Sequence, residues 1–146
     1  MSKTAKILLG VGGGLLVLAV IGIIVLLVAM RYVEKNLAAG VKADMDAGTE
    51  YGKTVDQKAC MTESLKRSRS ITFMSFSEGM SLSTFAESCM KAAKPITGFC
   101  EGVPGFWSLQ KSEWINEQCR QSGMDEKKTG CFYVFTAKHN VCSPAV

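Results

Sequence analysis

Ile7 to Met30 reads ILLGVGGGLLVLAVIGIIVLLVAM, a run of 24 residues without a charged side chain, an amide side chain or a proline. As an α-helix this run would be about 36 Å long, and the hydrocarbon core of a bilayer is about 30 Å thick. A backbone inside lipid must satisfy its own hydrogen bonds, which favours a helix. We therefore expect residues 7–30 to form a single transmembrane helix, with the polar remainder of the chain attached to its end.

The flanks of this run favour an uncleaved signal anchor over a cleaved signal peptide. Lys3 and Lys6 provide the positively charged start that both kinds of segment share. A signal peptide has an apolar core of about 7–15 residues closed by an A-x-A pattern. This run is longer and ends in Ala29-Met30-Arg31, which is a poor cleavage site. Residues 1–6 then form a short tail, and the rest of the chain lies across the membrane from it.

Six cysteines follow the apolar run, all in the polar part of the chain. They are Cys60, Cys89, Cys100, Cys119, Cys131 and Cys142. An even number of dispersed cysteines is typical of disulfides, whereas zinc sites favour close pairs such as CxxC, which the chain lacks. The spacing predicts three disulfides and leaves their pairing open among the roughly 15 connectivities that six cysteines allow.

The cysteines also decide the predicted orientation, because basic residues flank both ends of the apolar run. Disulfides form and persist in oxidising compartments. We expect a single-pass protein of the cell (inner) membrane, with residues 1–6 in the cytoplasm and the C-terminal domain in the periplasm or outside the cell.

The sequence pattern divides the polar part of the chain into two segments. Residues 31–52 predict a juxtamembrane helical stalk or a linker, in which Gly48 and Gly52 are expected to loosen the chain. Residues 53–146 predict a cysteine-rich exoplasmic domain. The 15 basic and 13 acidic residues after the apolar run nearly balance, so no concentrated basic patch marks nucleic acid as a partner.

Three helices are predicted in the exoplasmic domain. The first runs from about Val55 to Lys66. The third is capped by Ser108 and runs to about Ser122, with Leu109 facing inward and Gly123 as its C-cap. The second begins at a cap on Ser81 or Ser83 and has the clearest apolar face of the chain. That face consists of Leu82, Phe85, Ala86, Cys89, Met90 and Ala93.

The C-terminal region predicts a different element. Cys131 to Thr136 reads CFYVFT, and such aromatic and β-branched residues are typical of a strand. Cys142 is close enough in sequence to Cys131 to close a hairpin. The predicted fold class is mainly α: an N-terminal single transmembrane helix, then a small disulfide-stapled helical domain, with a short β-hairpin near the C-terminus as an option.

A loop rich in aromatic rings is the best candidate for a contact with a soluble partner. The aromatic loop, Pro95–Trp107, reads PITGFCEGVPGFW and carries Phe99, Phe106 and Trp107. Such a loop can pack its rings over the domain or present them to a partner. Packing is favoured, because large aromatic side chains usually fill cores.

Small residues within the apolar run suggest a second contact, between helices in the membrane. The predicted helix-packing face consists of Gly10, Gly12, Gly14, Ala19, Gly22 and Ala29. Small residues let a second helix approach closely, so this face could dock a partner helix or a second copy. The alternative is that glycine is simply common in membrane helices.

The sequence contains no recognisable catalytic pattern. His139 is the sole histidine, no GxSxG accompanies it, and Glu113 and Glu117 have the spacing of an exposed helical face. We expect no catalytic residue, metal or cofactor. The sequence predicts a non-catalytic accessory or assembly subunit of a larger membrane complex, docked through its transmembrane helix and its exoplasmic head, whose partners are the lipid bilayer and other subunits or a second copy. A membrane-tethered receptor or ligand-binding domain is the alternative, and an exoplasmic enzyme comes third.

Overall fold

The computed structural model describes residues 20–28, 31, 39–72, 74–125 and 129–143. They fall into two compact units, Met1–Ala39 and Gly40–Val146, which are described separately. In the first unit, residues 20–28 and 31 are helical. The rest of the predicted transmembrane run, residues 7–19 and 29–30, lies outside the described residues. In the part of the chain that is described, no helix combines the length and apolarity needed to cross a membrane.

The described part of the second unit is helical. Its helices are α1 (40–52, the part of the helical run 39–52 that belongs to this unit), α2 (Gln57–Ser68), α3 (Phe76–Ala92), α4 (Lys111–Gln121) and α5 (Cys131–Cys142). Helix α3 packs against α2 and α5, and α5 also packs against α2 and α4. The mainly α fold class is therefore confirmed.

Helix α3 carries the apolar face that the sequence predicts. Its Leu82, Phe85, Ala86, Cys89 and Met90 are all buried. The helix nevertheless begins at Phe76, so the expected caps Ser81 and Ser83 lie inside it. The apolar period identified the face, but it could not identify the first turn, whose Phe76 is exposed.

Helix α2 begins with a side-chain cap. The carboxylate of Asp56 accepts a hydrogen bond of 2.8 Å from the backbone nitrogen of Ala59, which satisfies one of the free N–H groups of the first turn. Asp56 also forms an isolated parallel bridge with Lys94, just after α3. This cap and bridge fix the start of α2 beside the end of α3.

The optional β-hairpin near the C-terminus is wrong, because Cys131–Cys142 is helix α5 and the described residues contain no strand. Cys131, Val134, Phe135, Ala137 and His139 of α5 are all buried, since other helices cover several sides of it. A helix enclosed in this way needs no polar face, so its sequence shows no clear helical period. Burial then overrides the strand preference of its aromatic and β-branched residues.

Three disulfides are present, as predicted, and the pairing is now defined. The pairs are Cys60–Cys89, Cys100–Cys142 and Cys119–Cys131. They join α2 to α3, the aromatic loop to the end of α5, and α4 to the start of α5. The expected closure of a hairpin between Cys131 and Cys142 is therefore wrong as well.

Gly48 and Gly52 do not loosen the chain as expected, because they lie within α1 where it meets α3. A Cβ atom on Gly48 would clash with the carbonyl oxygen of Phe85, and one on Gly52 with that of Cys89. Both glycines therefore allow the backbones of α1 and α3 to approach closely.

Candidate functional site

The aromatic loop connects α3 to α4 through a series of tight turns. Gly98 and Gly102 adopt φ angles of 79° and 73°, which side chains other than glycine rarely tolerate. The backbone nitrogens of Phe99 and Glu101 donate to the carbonyls of Ile96 and Gly98. The loop is thus held by its own backbone hydrogen bonds.

Two links tie this loop to the C-terminal helix. The disulfide between Cys100 and Cys142 joins it covalently to the last residue of α5. Next to that bridge, the hydroxyl of Ser143 donates a 2.8 Å hydrogen bond to the carbonyl oxygen of Pro104. A loop braced in this way loses little conformational freedom when it binds a partner.

The three predicted contact residues of the loop have different environments. Phe99 is half-buried and packs against the core. Phe106 is also half-buried, with its ring 4.9 Å from that of Trp107 in an edge-to-face arrangement. Trp107 itself is 88% exposed. The loop therefore packs two rings and presents the third.

Leu109 joins Trp107 on the surface, where sequence reasoning had placed it inward. Its side chain is 99% exposed, because α4 begins at Lys111 and not directly after Ser108. Leu109 therefore lies before the helix and outside its buried face, which does contain Ile115 and Cys119. Residues 107 and 109 are at most about 7 Å apart along the chain. We call Trp107 and Leu109 the exposed apolar pair.

Ser108 was a sequence signal for the exposure of Leu109, but it was interpreted as a helix cap. Ser108 accepts a hydrogen bond from the backbone nitrogen of Gln110, as in a short serine turn, and does not cap the helix. Serine favours both arrangements, so Ser108 alone could not decide whether Leu109 lies in the helix or before it.

His139 lies beneath the aromatic loop and has no access to solvent. Its ring lies 6.4 Å from that of Phe106 and 6.3 Å from that of Trp114. Neither ring nitrogen has a hydrogen-bond partner among the described residues. In this structure the histidine contributes to the packing under the loop and cannot contact a substrate in solvent.

Two lysine amines lie over rings of the loop. The amine of Lys111 lies 5.8 Å from the centre of the Phe106 ring, and that of Lys138 lies 4.8 Å from the centre of the Phe99 ring. Burial lowers the pKa of Lys138 below 10.5. Lys138 was not identified from the sequence, because its helix was interpreted as a strand and a tail.

The other potentially reactive side chains, Glu117 and the six cysteines, are engaged in contacts within the domain. Glu117 pairs with Arg120 and accepts a hydrogen bond of 2.8 Å from Gln121 on the same helix. All six cysteines form disulfides. Over the described ranges, no cluster of histidine, cysteine, aspartate and glutamate side chains is arranged to hold a metal ion.

The predicted helix-packing face of the membrane run is described at one position. Gly22 lies in a helical segment, and a Cβ atom there would meet nothing within 4 Å. The other members, Gly10, Gly12, Gly14, Ala19 and Ala29, lie outside the described residues. This face stays a prediction.

Comparison with known proteins identifies no relative. No family model, no curated protein and no solved structure matches this chain.

Proposed function

We propose that this protein is a non-catalytic accessory or assembly subunit of a larger membrane protein complex. In this proposal, residues 7–30 anchor the chain in the cell membrane with residues 1–6 in the cytoplasm. The cysteine-rich head, which is the exoplasmic domain of residues 53–146, lies in the periplasm or outside the cell and binds a second membrane subunit through the exposed apolar pair.

The observation that carries the proposal is the exposure of this pair. Trp107 and Leu109 leave 88% and 99% of their side chains in solvent. Exposed apolar residues gathered in one place mark interaction sites, and tryptophan is enriched among the residues that dominate binding energy. Because the Cys100–Cys142 bridge holds the loop beside them, the pair is presented on a preorganised support.

Two further observations support the non-catalytic and exoplasmic parts of the proposal. Two groups that enzymes often use, a free thiol and an imidazole, are not accessible among the described residues, since the cysteines are bridged and His139 is fully buried. Three disulfides in one small domain are typical of proteins in an oxidising compartment.

The experiment is a co-purification of the tagged full chain from its native membrane in a mild detergent. We expect one or more membrane proteins to elute with it in fixed stoichiometry. The double variant Trp107→Ser/Leu109→Ser should retain at most about one-thirtieth of the partner, which corresponds to the roughly 2 kcal/mol of an interface anchor.

Met74→Ser is the matched control, because Met74 is also a large apolar residue that is 86% exposed and has an exposed apolar neighbour, Phe76, but it lies between α2 and α3 in a segment that contains no cysteine. This variant should retain the partner at the wild-type level. Purification without any stoichiometric partner would overturn the subunit proposal. Equal recovery with the double variant would overturn the assignment of the docking site.

A further inference from the structure

A concave site lies where α2, α5 and the start of the aromatic loop meet. It does not include the exposed apolar pair. It is a cleft of about 360 Å³. Two amines, three apolar side chains and a hydroxyl line it: Lys58, Lys138, Met61, Ile96, Phe99 and Thr97. The cleft thus combines a positively charged part with an apolar wall.

Within the described residues, no carboxylate forms an ion pair with either amine of the cleft, although Lys58 also lines a neighbouring cleft with Asp56 and Glu63. No acidic residue lines the cleft, and neither lysine forms an ion pair with any described residue. The carboxylate of Glu101 reaches the turn at Gly98, but it pairs with neither amine. The lining therefore carries two amines that no ion pair holds, although the Glu101 carboxylate borders the cleft at Gly98.

Lys138 is the more constrained of the two amines. Its nitrogen lies 4.8 Å from the centre of the Phe99 ring, and its surroundings lower its pKa by desolvation. An ammonium group that has lost part of its water is stabilised by a nearby negative charge more strongly than an exposed one. A bound anion would supply that charge.

The walls of the cleft are held in place by two disulfides. Cys60 fixes α2 to α3 two residues after Lys58. Cys100, next to Phe99, is bridged to Cys142, one helical turn after Lys138. The cleft therefore exists before any ligand arrives, which lowers the cost of binding.

We propose that this cleft binds a small organic anion, whose carboxylate or phosphate group contacts Lys58 and Lys138 and whose apolar body packs against Phe99, Met61 and Ile96. The proposal does not depend on the docking function of the exposed apolar pair. Either site can fail its test while the other stands.

The test uses three fluorinated probes of one shape and different charge: 4-fluorobenzoate, 4-fluorobenzyl alcohol and 4-fluorobenzylammonium. Binding to the full chain in phosphatidylcholine nanodiscs is measured by ¹⁹F NMR titration, with empty nanodiscs subtracted. We expect the carboxylate to bind at least about tenfold more tightly than the alcohol, and the ammonium probe not to bind. A parallel titration with 4-fluorophenyl phosphate shows which anionic group the cleft prefers.

Substitutions then place the binding in the cleft. The double variant Lys58→Met/Lys138→Met should weaken benzoate binding at least about tenfold, while Lys66→Met, an exposed lysine elsewhere on α2, should not change it. Thr97→Glu should weaken binding by repulsion, and Thr97→Gln, of similar size, should not. The comparison of the two Thr97 variants still tests the proposal if the double lysine variant misfolds. Equal affinity for the three probes, or unchanged binding in Thr97→Glu, would overturn the proposal.

Discussion

Gly48 of α1 lies directly against the carbonyl oxygen of Phe85 of α3, with no room for a Cβ atom between the two helices. Four residues further along α1, Gly52 lies in the same way against the carbonyl oxygen of Cys89. Residues spaced by four occupy one face of a helix, so the two glycines form a flat contact surface. The packing of α1 onto the disulfide-bonded helices depends on this surface.

We predict that Gly48→Ala destabilises the head by about 1–3 kcal/mol, because α1 must move away from α3 to accommodate the methyl group. The sign of this change is informative. In a helix without a close neighbour, the same substitution would stabilise the protein, because alanine is favoured over glycine by about 1 kcal/mol. Denaturant unfolding followed by circular dichroism measures the change.

Gly40→Ala is the matched control on the same helix, because a Cβ atom at Gly40 would meet nothing within 4 Å. Because Gly40 lies at the start of the helix, this substitution should leave the stability unchanged or raise it by less than about 1 kcal/mol. If Gly48→Ala were also stabilising, α1 would not pack against α3 as described.

We predict that His139→Leu leaves the stability within about 1 kcal/mol of wild type or raises it. Leucine has a similar size, and the substitution removes two buried ring nitrogens that have no partner among the described residues. In contrast, Ile115→Ala, at an equally buried position, should cost about 2–5 kcal/mol because it leaves a cavity.

Thermal unfolding of both variants makes this comparison. A large loss of stability in His139→Leu would show that the histidine makes a stabilising hydrogen bond after all. The same variant should keep its membrane partner in the co-purification. If that partner were lost while the fold remained intact, His139 would have a functional role that its burial argues against.

The helical face of α3 could be predicted from the sequence because one side of that helix is buried and the other is in water. Helix α5 could not be predicted, because burial on several sides removes the polar face that reveals a helical period. Strand propensity then became the strongest remaining signal, although it depends on context more than helix propensity does.

For the candidate site, the loop could be predicted but its exposed pair could not be identified in full. Prolines, glycines and rings marked the loop, and Trp107 was among its candidate residues. Leu109 was missed because the N-cap of α4 is Gln110, two residues after the predicted cap Ser108, and helix ends are the least regular part of the pattern. The pairing of six cysteines depends on which helices meet, which spacing alone does not determine.

We predict that the amine of Lys138 titrates below 10.5, because burial disfavours its charged form. Competitive labelling with trace acetic anhydride over a series of pH values, followed by peptide mass spectrometry, gives the midpoint. The folded state then binds this proton more weakly than the unfolded state. The charged amine therefore lowers stability below the folded pKa, and this cost disappears as the pH rises toward 10.5.

Phe99→Ala tests the cause of that shift. Removing the ring opens the surroundings of the amine to water and also removes the attraction between ring and ammonium. Because desolvation is the cause of the shift, the midpoint should still rise toward 10.5. A midpoint at or above 10.5 in the wild-type protein would contradict the burial of Lys138.

We predict that maleimide mass-tagging of the protein in its native membrane modifies no cysteine before reduction and six after it. Peptide mapping without reduction should recover the pairs Cys60–Cys89, Cys100–Cys142 and Cys119–Cys131. Immediate modification of all six cysteines would indicate a reducing compartment and would invert the proposed topology.

The most direct test of the proposed function is photo-crosslinking in the intact native membrane, with p-benzoylphenylalanine placed in turn at Trp107, Leu109 and Met74. We predict that positions 107 and 109 give one common adduct with the same membrane protein, and that position 74 does not. If all three positions gave the same weak adducts, or if 107 and 109 gave none, the exposed apolar pair would not be a docking site for a membrane subunit.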